Sequence, residues 1–351
     1  MTDKPAPAYL PLTITAIKEE IPGFKTFEFG AEDAKAVPYK PGQYLTFVHP
    51  GLTQEVRRSY SIISAPALQE PLAIGVKRVE NGFYSRRLVD NAQVGDTLQT
   101  IGATGLFTLP DDMTPYRQVF LLAAGSGITP IYALLKTLLY TYPAIHVVLI
   151  YSNSTPQQII FREELEQLAI RFPAQLRIEF LLSNSPDLAR ARLYKDLLQD
   201  LLQQYTLAPY EQVLFYLCGP LTYMRMCFYA LRQVNVPADN IRKESFSTAK
   251  VAPRVLPPDT EPHTVTLRFH DNSYSLQVQH PQTILQSAKK AGIAVPYSCE
   301  AGKCGSCAAR CITGQVWLSY NEVLTEKDLQ KGLTLTCVGY PVGGDVELEI
   351  L

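Results

Sequence analysis

The segment Ser298-Cys-Glu-Ala-Gly-Lys-Cys-Gly-Ser-Cys307 says most about how the last third of this 351-residue chain folds. With Leu335-Thr-Cys-Val-Gly-Tyr-Pro341, it supplies four cysteines: Cys299, Cys304, Cys307 and Cys337. Thiolates spaced as C-x4-C-x2-C with a distant fourth ligand surround two irons, so the pattern predicts a [2Fe–2S] cluster. A zinc site is the alternative, but zinc ligands usually come as paired C-x2-C knuckles, which Cys299 and Cys304 do not form.

The sequence around these cysteines predicts a small β-grasp module. Gly302 and Gly305 allow the unusual dihedral angles of a loop that closes on a cluster. Two alternating strands are predicted on either side of the turn residues Asp271-Asn-Ser273, and a helix is predicted to end before Gly292. Their predicted ranges are 264–270 and 274–279 for the strands and 283–291 for the helix. The region resembles a plant-type ferredoxin domain.

A proline-rich stretch marks the boundary on the N-terminal side of this module. Four prolines fall between Ser247 and His263, where they exclude helix and favour an extended spacer: Pro253, Pro257, Pro258 and Pro262. We therefore predict a linker over residues 248–263 and a ferredoxin domain over residues 264–351.

In the N-terminal two thirds of the chain, the pattern of apolar and turn-forming residues changes near Tyr116. Residues 1–112 contain short β-rich runs separated by glycine and proline, which predicts an antiparallel β-barrel. Residues 113–247 alternate apolar strands with helices, which predicts an α/β domain with a parallel sheet. The helices are expected at 130–140, 157–171 and 193–205, and the fold class is multi-domain.

Motifs in the barrel region suggest a flavin site. Arg58-Ser-Tyr-Ser61, preceded by Pro41-Gly-Gln-Tyr44, offers a ring to stack on, polar groups for the flavin edge and a cation for phosphate. Downstream, Asn81-Gly-Phe-Tyr-Ser85 precedes a helical stretch whose start can present N–H groups to phosphate. The predicted flavin-binding residues are Arg58, Tyr60, Ser61, Val76, Lys77, Gly82 and Ser85. An ordinary strand and a simple capped helix are the alternatives.

Three segments of the α/β region suggest a nicotinamide site. Gly125-Ser-Gly-Ile-Thr-Pro130 follows an apolar strand and opens a helix, the arrangement that brings a pyrophosphate close to a helix N-terminus. The candidates there are Gly125, Gly127, Thr129 and Pro130. The second and third segments, Cys218-Gly-Pro220 and Glu244-Ser-Phe246, contribute Cys218, Gly219, Pro220, Glu244 and Phe246. A buried structural cysteine is the alternative for Cys218.

These motifs, in this order, resemble the ferredoxin–NADP reductase family, and with the C-terminal ferredoxin they resemble reductase components of multicomponent oxygenases. The resemblance implies that NAD(P)H reduces FAD, with FMN as the alternative, and that electrons leave through the cluster to a redox protein acceptor. It places Cys218 and Glu244 at the site of hydride transfer. A non-enzymatic electron carrier and a general ferredoxin or hydroxylamine-pathway reductase are the alternatives. NADH and NADPH are both expected to serve, because Arg190 or Arg192 can meet a 2′-phosphate whereas Asn184 replaces an expected arginine.

The composition excludes other classes of protein. A net charge of −1 with 46% hydrophobic residues describes an ordinary globular chain and gives no reason to expect a nucleic acid partner. The apolar runs have the length of strands, and the N-terminal residues lack a signal peptide's apolar segment, so we expect a cytoplasmic protein without a membrane segment. Seven cysteines, four of them assigned to a cluster, favour a reducing compartment. Cys227 and Cys311 are expected to be buried and structural, and the five histidines have no assigned role.

Overall fold

The computed structural model describes residues 9–49, 55–249, 255–269 and 272–351. These residues form two compact units, 9–245 and 246–351. The first contains an antiparallel barrel and a parallel five-stranded sheet, and the second contains a mixed five-stranded sheet. This is the predicted fold class. Among the residues described, none of the helices has the length and apolarity needed to cross a bilayer.

The barrel is built from six strands and two short helices: β1 Leu10–Ile21, β2 Phe24–Phe29, α1 Ala31–Lys35, β3 Tyr44–His49, β4 Val56–Ser61, β5 Ala73–Lys77, α2 Phe83–Arg86 and β6 Thr97–Thr104. Neighbouring strands are antiparallel in the order β4-β3-β6-β1-β2-β5. A bridge between Ile62 and Ile74 then joins the end of β4 to β5, so the sheet closes on itself.

The parallel sheet alternates strand and helix, in the order β7 Gln118–Ala124, α3 Ile128–Thr141, β8 His146–Asn153, α4 Arg162–Arg171, β9 Leu176–Leu182, α5 Lys195–Tyr205, β10 Val213–Cys218, α6 Leu221–Gln233 and β11 Ile241–Glu244. The strand order is β11-β10-β7-β8-β9. From β7 the chain adds β8 and β9 on one side of the sheet, and it then adds β10 and β11 on the other side of β7. The direction in which strands are added therefore changes between β7 and β10. In such sheets ligands bind at the carboxyl ends of the strands beside this switch.

The barrel and the parallel sheet share one hydrophobic core. Alternate residues of β7 face two different cores, as expected for a strand covered on both faces. The core on the α3 side also contains Phe24, Ile63 and Phe107 from the barrel region. Burying such aromatic and branched side chains contributes about 1.5–3 kcal/mol each, which favours the pairing of the two folds.

The C-terminal sheet has the mixed topology of a β-grasp module, with elements β12 His263–Phe269, β13 Asn272–Val278, α7 Ile284–Lys290, β14 Ala308–Thr313, β15 Val316–Leu318, α8 Glu326–Gln330, β16 Leu333–Leu335, β17 Gly339–Pro341 and β18 Val346–Ile350. The main sheet has the order β13-β12-β18-β14-β16, while β15 and β17 pair separately. A capping box between Thr283 and Gln286 fixes the start of α7.

Three sequence predictions about local structure need correction or limitation. The helix predicted over 157–171 begins only at Arg162, because Phe161 adopts a left-handed conformation with φ of 60°. Asn272 and Ser273 belong to β13, where Asn272 pairs with Phe269, so they are not turn residues; Asp271 lies outside the described residues. The predicted linker, 248–263, has no helix over 248–249 and 255–262, its last residue His263 already begins β12, and Pro253 lies outside the described part.

Candidate flavin, nicotinamide and iron–sulfur sites

Two turns meet at the carboxyl edge of the parallel sheet. β7 leads through the turn Gly125–Gly127 into α3, and β10 leads through Gly219 and Pro220 into α6. A Cβ added at Gly127 would lie only 2.1 Å from the carbonyl oxygen of Cys218, so the backbones are in direct contact. This contact lies at the switch between β7 and β10, where a nucleotide is expected to bind.

The start of α3 is held by hydrogen bonds and by the barrel. The Thr129 hydroxyl donates to the carbonyl oxygen of Ser126 at 2.9 Å, and Pro130 is buried in the first turn. The Thr129 methyl group lies against Gly75 of β5, since a Cβ there would be 2.8 Å away. Tyr151, which sequence reasoning missed, donates its hydroxyl to the carbonyl oxygen of Gly125 at 3.0 Å. An aromatic residue inside an apolar strand gave no sequence signal for this role.

Cys218, Glu244 and Ser61 converge beside these turns. Parallel pairing of β10 with β11 places Cys218 next to Glu244, and the Ser61 hydroxyl at the end of β4 donates to Oε1 of Glu244 at 3.3 Å. All three residues are buried, Glu244 with 6% of its surface exposed. Burial raises the pKa of the Cys218 thiol well above its usual value, and the nearby Glu244 raises it further. Cys218 is therefore a neutral thiol, and a hydrogen bond and a strand pairing bring residues of the predicted flavin and nicotinamide motifs together.

An aromatic group lies beside the predicted flavin strand. The rings of Tyr60 on β4 and Tyr84 on α2 stack with centroids 6.2 Å apart and planes inclined by 22°. Phe47 of β3 lies 6.3 Å from Tyr60. Burial raises the pKa of Tyr60, so its phenol stays protonated. Tyr84 was not among the predicted residues, although it stands inside the motif that supplied Gly82 and Ser85.

Arg58, the predicted phosphate-binding cation, and Lys77, another predicted flavin-binding residue, have no carboxylate partner among the described residues. Arg58 is exposed, and its guanidinium donates to the backbone carbonyl oxygen of Arg57 at 2.7 Å. Lys77 at the end of β5 is also exposed, whereas the side chain of Val76 is buried in the barrel core. Arg58 and Lys77 can therefore meet a phosphate, and Val76 can offer only backbone groups.

The turn before α2 uses its own polar groups. The Ser85 hydroxyl donates to the carbonyl oxygen of Gly82 and accepts from the backbone N–H of Val79, both at 3.2 Å. A Cβ at Gly82 would lie 2.4 Å from Ser85 Oγ, so a larger residue there would force the Ser85 hydroxyl to move. Ser85 thus shapes the turn, and its contact with phosphate stays a prediction.

The four cysteines of the C-terminal unit lie in two pairs. The side chain of Cys304 is within hydrogen-bonding range of Cys299, and that of Cys337 is within hydrogen-bonding range of Cys307. Cys304 is also close enough to Cys307 for electrostatic interaction. No group of three or more such side chains in the described residues converges on a single metal ion. Two pairs suit two irons, so the arrangement fits a [2Fe–2S] cluster better than zinc.

The backbone of the cysteine loop is shaped for the same group. The N–H groups of Ala301 and Lys303 donate to Cys299 Sγ, the first at 3.4 Å. Gly302 and Gly305 have φ angles of 69° and 79°, and a Cβ at Gly302 would lie 2.8 Å from the carbonyl oxygen of Tyr320. Such N–H groups stabilise anionic sulfur, and positive φ angles favour glycine.

The charges of this loop indicate that the four cysteines need a bound cation before all of them can be thiolates. The neighbouring Cys304 and burial raise the pKa of Cys299, and Cys337 and burial raise that of Cys307. Four thiolates in a buried loop repel one another, and bound iron removes this repulsion. The four predicted ligands therefore fit the cluster, while their role as ligands stays a prediction.

The remaining cysteines and a predicted phosphate-binding arginine have other surroundings. Cys227 is fully buried, as predicted. Cys311 is only partly buried and its thiol lies 3.4 Å from the carbonyl oxygen of Thr313, so the prediction of a buried residue is wrong; only the first two residues of β14, Ala308 and Ala309, are buried. Arg190 donates to Oε2 of Glu179 at 2.6 Å.

Comparison with known families covers most of the chain. Residues 11–109 match an oxidoreductase FAD-binding domain, residues 121–228 match an oxidoreductase NAD-binding domain, and residues 269–342 match a 2Fe-2S iron-sulfur cluster binding domain. The fold and these three matches define an oxidoreductase with FAD, NAD and [2Fe–2S] domains on one polypeptide.

Similarity to full-length relatives extends over all three domains. The chain is 32% identical over 349 residues to the ferredoxin reductase component of 3-ketosteroid-9-alpha-monooxygenase from Rhodococcus rhodochrous, with 96% of each chain covered. It is 29% identical to one of the subunits of 1,2-phenylacetyl-CoA epoxidase from Escherichia coli strain K12, again with 96% of each covered. Phthalate dioxygenase reductase has the same fold, with a TM-score of 0.59 at 23% identity and coverage of 97% and 98%. The chain belongs to the family of ferredoxin reductase components of oxygenases.

Proposed function

We propose that this protein takes electrons from NADH and delivers them, through FAD and a [2Fe–2S] cluster, to the oxygenase component of a multicomponent system. The observation that carries the proposal is the convergence of Ser61, Cys218 and Glu244, which joins the flavin strand to the nicotinamide edge of the parallel sheet. When bound, FAD accepts a hydride and releases its electrons singly, and the cluster takes one electron at a time.

The residues of the chain prepare this transfer by position. We assign ring stacking to Tyr60 with Tyr84 behind it, phosphate binding to Arg58 and Lys77, and polar contact with the flavin edge to Ser61. Gly127 and Gly219 allow the two turns to touch, so that a nicotinamide entering there meets Cys218. The neutral Cys218 thiol adds no charge beside the ring that loses the hydride. Pro220 and Phe246 are retained as candidates; Phe246 is half-exposed and begins the second unit.

We favour NADH over NADPH. A 2′-phosphate needs a cation, and the guanidinium of Arg190 is already paired with Glu179, which is 8% exposed. Asn184 follows β9 in place of an arginine, and an amide gives weaker recognition of a phosphate dianion. Both observations support a site that accepts an adenosine ribose without phosphate.

The acceptor and the compartment follow from the family and from the cysteines. Two relatives are named as the reductase parts of a 3-ketosteroid-9-alpha-monooxygenase and of a glycine betaine monooxygenase, so we propose an oxygenase component as acceptor for this chain as well. None of the seven cysteines forms a disulfide. Free thiols at all of these positions support a reducing compartment, which we propose to be the cytoplasm.

Anaerobic titration of the purified holoprotein tests the proposal. NADH should bleach the flavin absorbance, and the electron paramagnetic resonance signal of a reduced [2Fe–2S] cluster should then appear. NADPH should give a lower kcat/KM for the same bleaching. A protein that bound flavin and iron but was not reduced by either nucleotide would be an electron carrier, and the proposed function would be wrong.

A further inference from the structure

A buried lysine lies in the cysteine loop. Lys303 directly precedes Cys304, and only 5% of its surface is exposed. The other described lysines of this unit are exposed: Lys289, for example, lies 2.7 Å from Glu300 with 40% of its side chain exposed. Burying an ammonium group costs free energy unless an opposite charge compensates it.

Among the described residues, the partners of this ammonium are neutral. Nζ donates to the backbone carbonyl oxygen of Ala249 at 2.8 Å. The ring of Tyr320 lies 5.9 Å from Nζ, near the outer limit for a cation–π contact. No described carboxylate lies within salt-bridge distance of Lys303. One carbonyl and one distant ring give a buried cation little compensation.

The backbone of the same residue contacts a predicted ligand. The N–H group of Lys303 donates to the sulfur of Cys299, while its peptide continues into Cys304. The backbone of Lys303 therefore lies between two cysteines that are assigned to the same iron, and its buried side chain extends from this loop. Four thiolates and two sulfides give a [2Fe–2S] cluster a net negative charge, and this charge grows when the cluster accepts an electron.

We propose that the ammonium of Lys303 is the counter-charge of the cluster and raises its reduction potential, an inference that rests on the proposed function. A fixed positive charge in a water-poor loop stabilises the reduced cluster more than the oxidised one. The expected consequence is a cluster that accepts electrons from the flavin more readily than the same loop with a neutral residue. Lys303 thus acts on the cluster through its positive charge and does not bind the metal itself.

A variant that removes the charge of Lys303 but keeps its hydrogen bond isolates the effect of that charge on the reduction potential. Lys303→Gln keeps a donor for the carbonyl oxygen of Ala249 and loses the charge, while Lys303→Arg keeps the charge. Lys290→Gln removes an equal charge from an exposed position at the end of α7 and is the matched control. The readout is the midpoint potential of the cluster in the holoenzyme, from a redox titration followed by electron paramagnetic resonance.

We expect Lys303→Gln to lower the midpoint potential clearly more than Lys290→Gln does, and Lys303→Arg to stay near the wild-type value. The shift should persist in high salt, because buried charges are screened weakly. Equal potentials for the two glutamine variants would overturn the inference. A wild-type protein without a [2Fe–2S] signal would instead contradict the proposed function.

A second variant covers the case in which Lys303→Gln takes up no iron. Ala249→Asp places a carboxylate at the exposed residue that contacts the ammonium, and Ala249→Asn is its uncharged control. The aspartate should neutralise Lys303 and lower the potential relative to the asparagine variant. Identical potentials for these two variants would also overturn the inference.

Discussion

At the scale of single residues, the carboxyl edge of the parallel sheet depends on a glycine without a side chain and on three polar side chains that contact one another or lie side by side. Gly127 has no side chain, and this allows its backbone to touch Cys218. Cys218 in turn is aligned with Glu244, whose carboxylate accepts from Ser61. Small changes at Gly127 and Cys218 should therefore have large and different consequences.

Gly127→Ala should weaken nucleotide binding and stability together. The added Cβ would lie 2.1 Å from the Cys218 carbonyl oxygen, so one of the two turns must move, at a cost of about 1–3 kcal/mol. Gly30→Ala is the matched control, because its Cβ would meet only ordinary contacts at 3.7 Å and beyond. The thermal midpoint and the Kd for NADH measure the effect. Equal values for the two variants would show that the turns do not need this contact.

Cys218→Ala should slow hydride transfer about tenfold, which corresponds to about 1.4 kcal/mol, and leave flavin retention nearly unchanged. The reason is that Cys218 ends β10 at the proposed nicotinamide edge, whereas the residues proposed to bind flavin lie on β4, β5 and α2. Cys227→Ala removes an equally buried thiol from α6 and controls for the lost packing. Stopped-flow measurement of flavin reduction gives the rate. If both variants reduced flavin at the same rate, Cys218 would have no role in the transfer.

At the scale of elements, the sequence predicted what depends on spacing and missed what depends on packing. The cysteine spacing and the glycine turn before α3 predicted a cluster loop and a nucleotide-binding edge, because both patterns are local. Phe161 adopts a left-handed conformation that delays the start of α4 to Arg162, and an apolar residue does not signal this conformation. The contact between Ser61 and Glu244 and the stacking of Tyr84 on Tyr60 each link two different elements of the chain. Sequence periodicity describes one element at a time and therefore did not indicate these contacts.

One ion pair between elements gives a prediction about stability. Lys136 on α3 is buried against Glu70, which follows β4 and also accepts from the N–H of Ala65 at 2.8 Å. Glu70→Gln leaves the ammonium unpaired and should lower the free energy of unfolding at neutral pH by about 1–3 kcal/mol, since Glu70 is partly exposed. Glu32→Gln, in an exposed pair with Lys35, should cost about 0–0.5 kcal/mol. Chemical denaturation measures both.

The same variant should show a defined pH dependence. Burial lowers the pKa of Lys136, and Glu70 opposes this, so removing Glu70 should lower the pKa further. A lysine with a folded-state pKa below its unfolded value disfavours folding at low pH, and this penalty disappears as the pH rises toward the unfolded value. The stability gap between wild type and Glu70→Gln should therefore shrink from neutral to alkaline pH. A gap that widened would assign the effect to another group.

At the scale of the whole molecule, the function depends on having the FAD-binding, NAD-binding and [2Fe–2S] domains on one chain. A two-electron donor, a flavin and a one-electron centre are placed together on one chain, so electron transfer needs no separate carrier between flavin and cluster. The two compact units have different contents: residues 9–245 contain the FAD-binding and NAD-binding domain matches, and residues 246–351 contain the four cysteines. Loss of the cluster should thus affect the last step alone.

Cys304→Ser tests this division. The variant should lose transfer to one-electron protein acceptors, because serine is a poor replacement for a thiolate ligand, while NADH should still bleach the flavin at the wild-type rate. Cys311→Ser is the matched control, since its thiol is partly exposed and lies near the carbonyl oxygen of Thr313. Iron content, flavin reduction and cytochrome c reduction separate the steps. If flavin reduction disappeared with the cluster, the two units would not act independently, and if Cys311→Ser lost the iron instead, the ligand set would have to include Cys311.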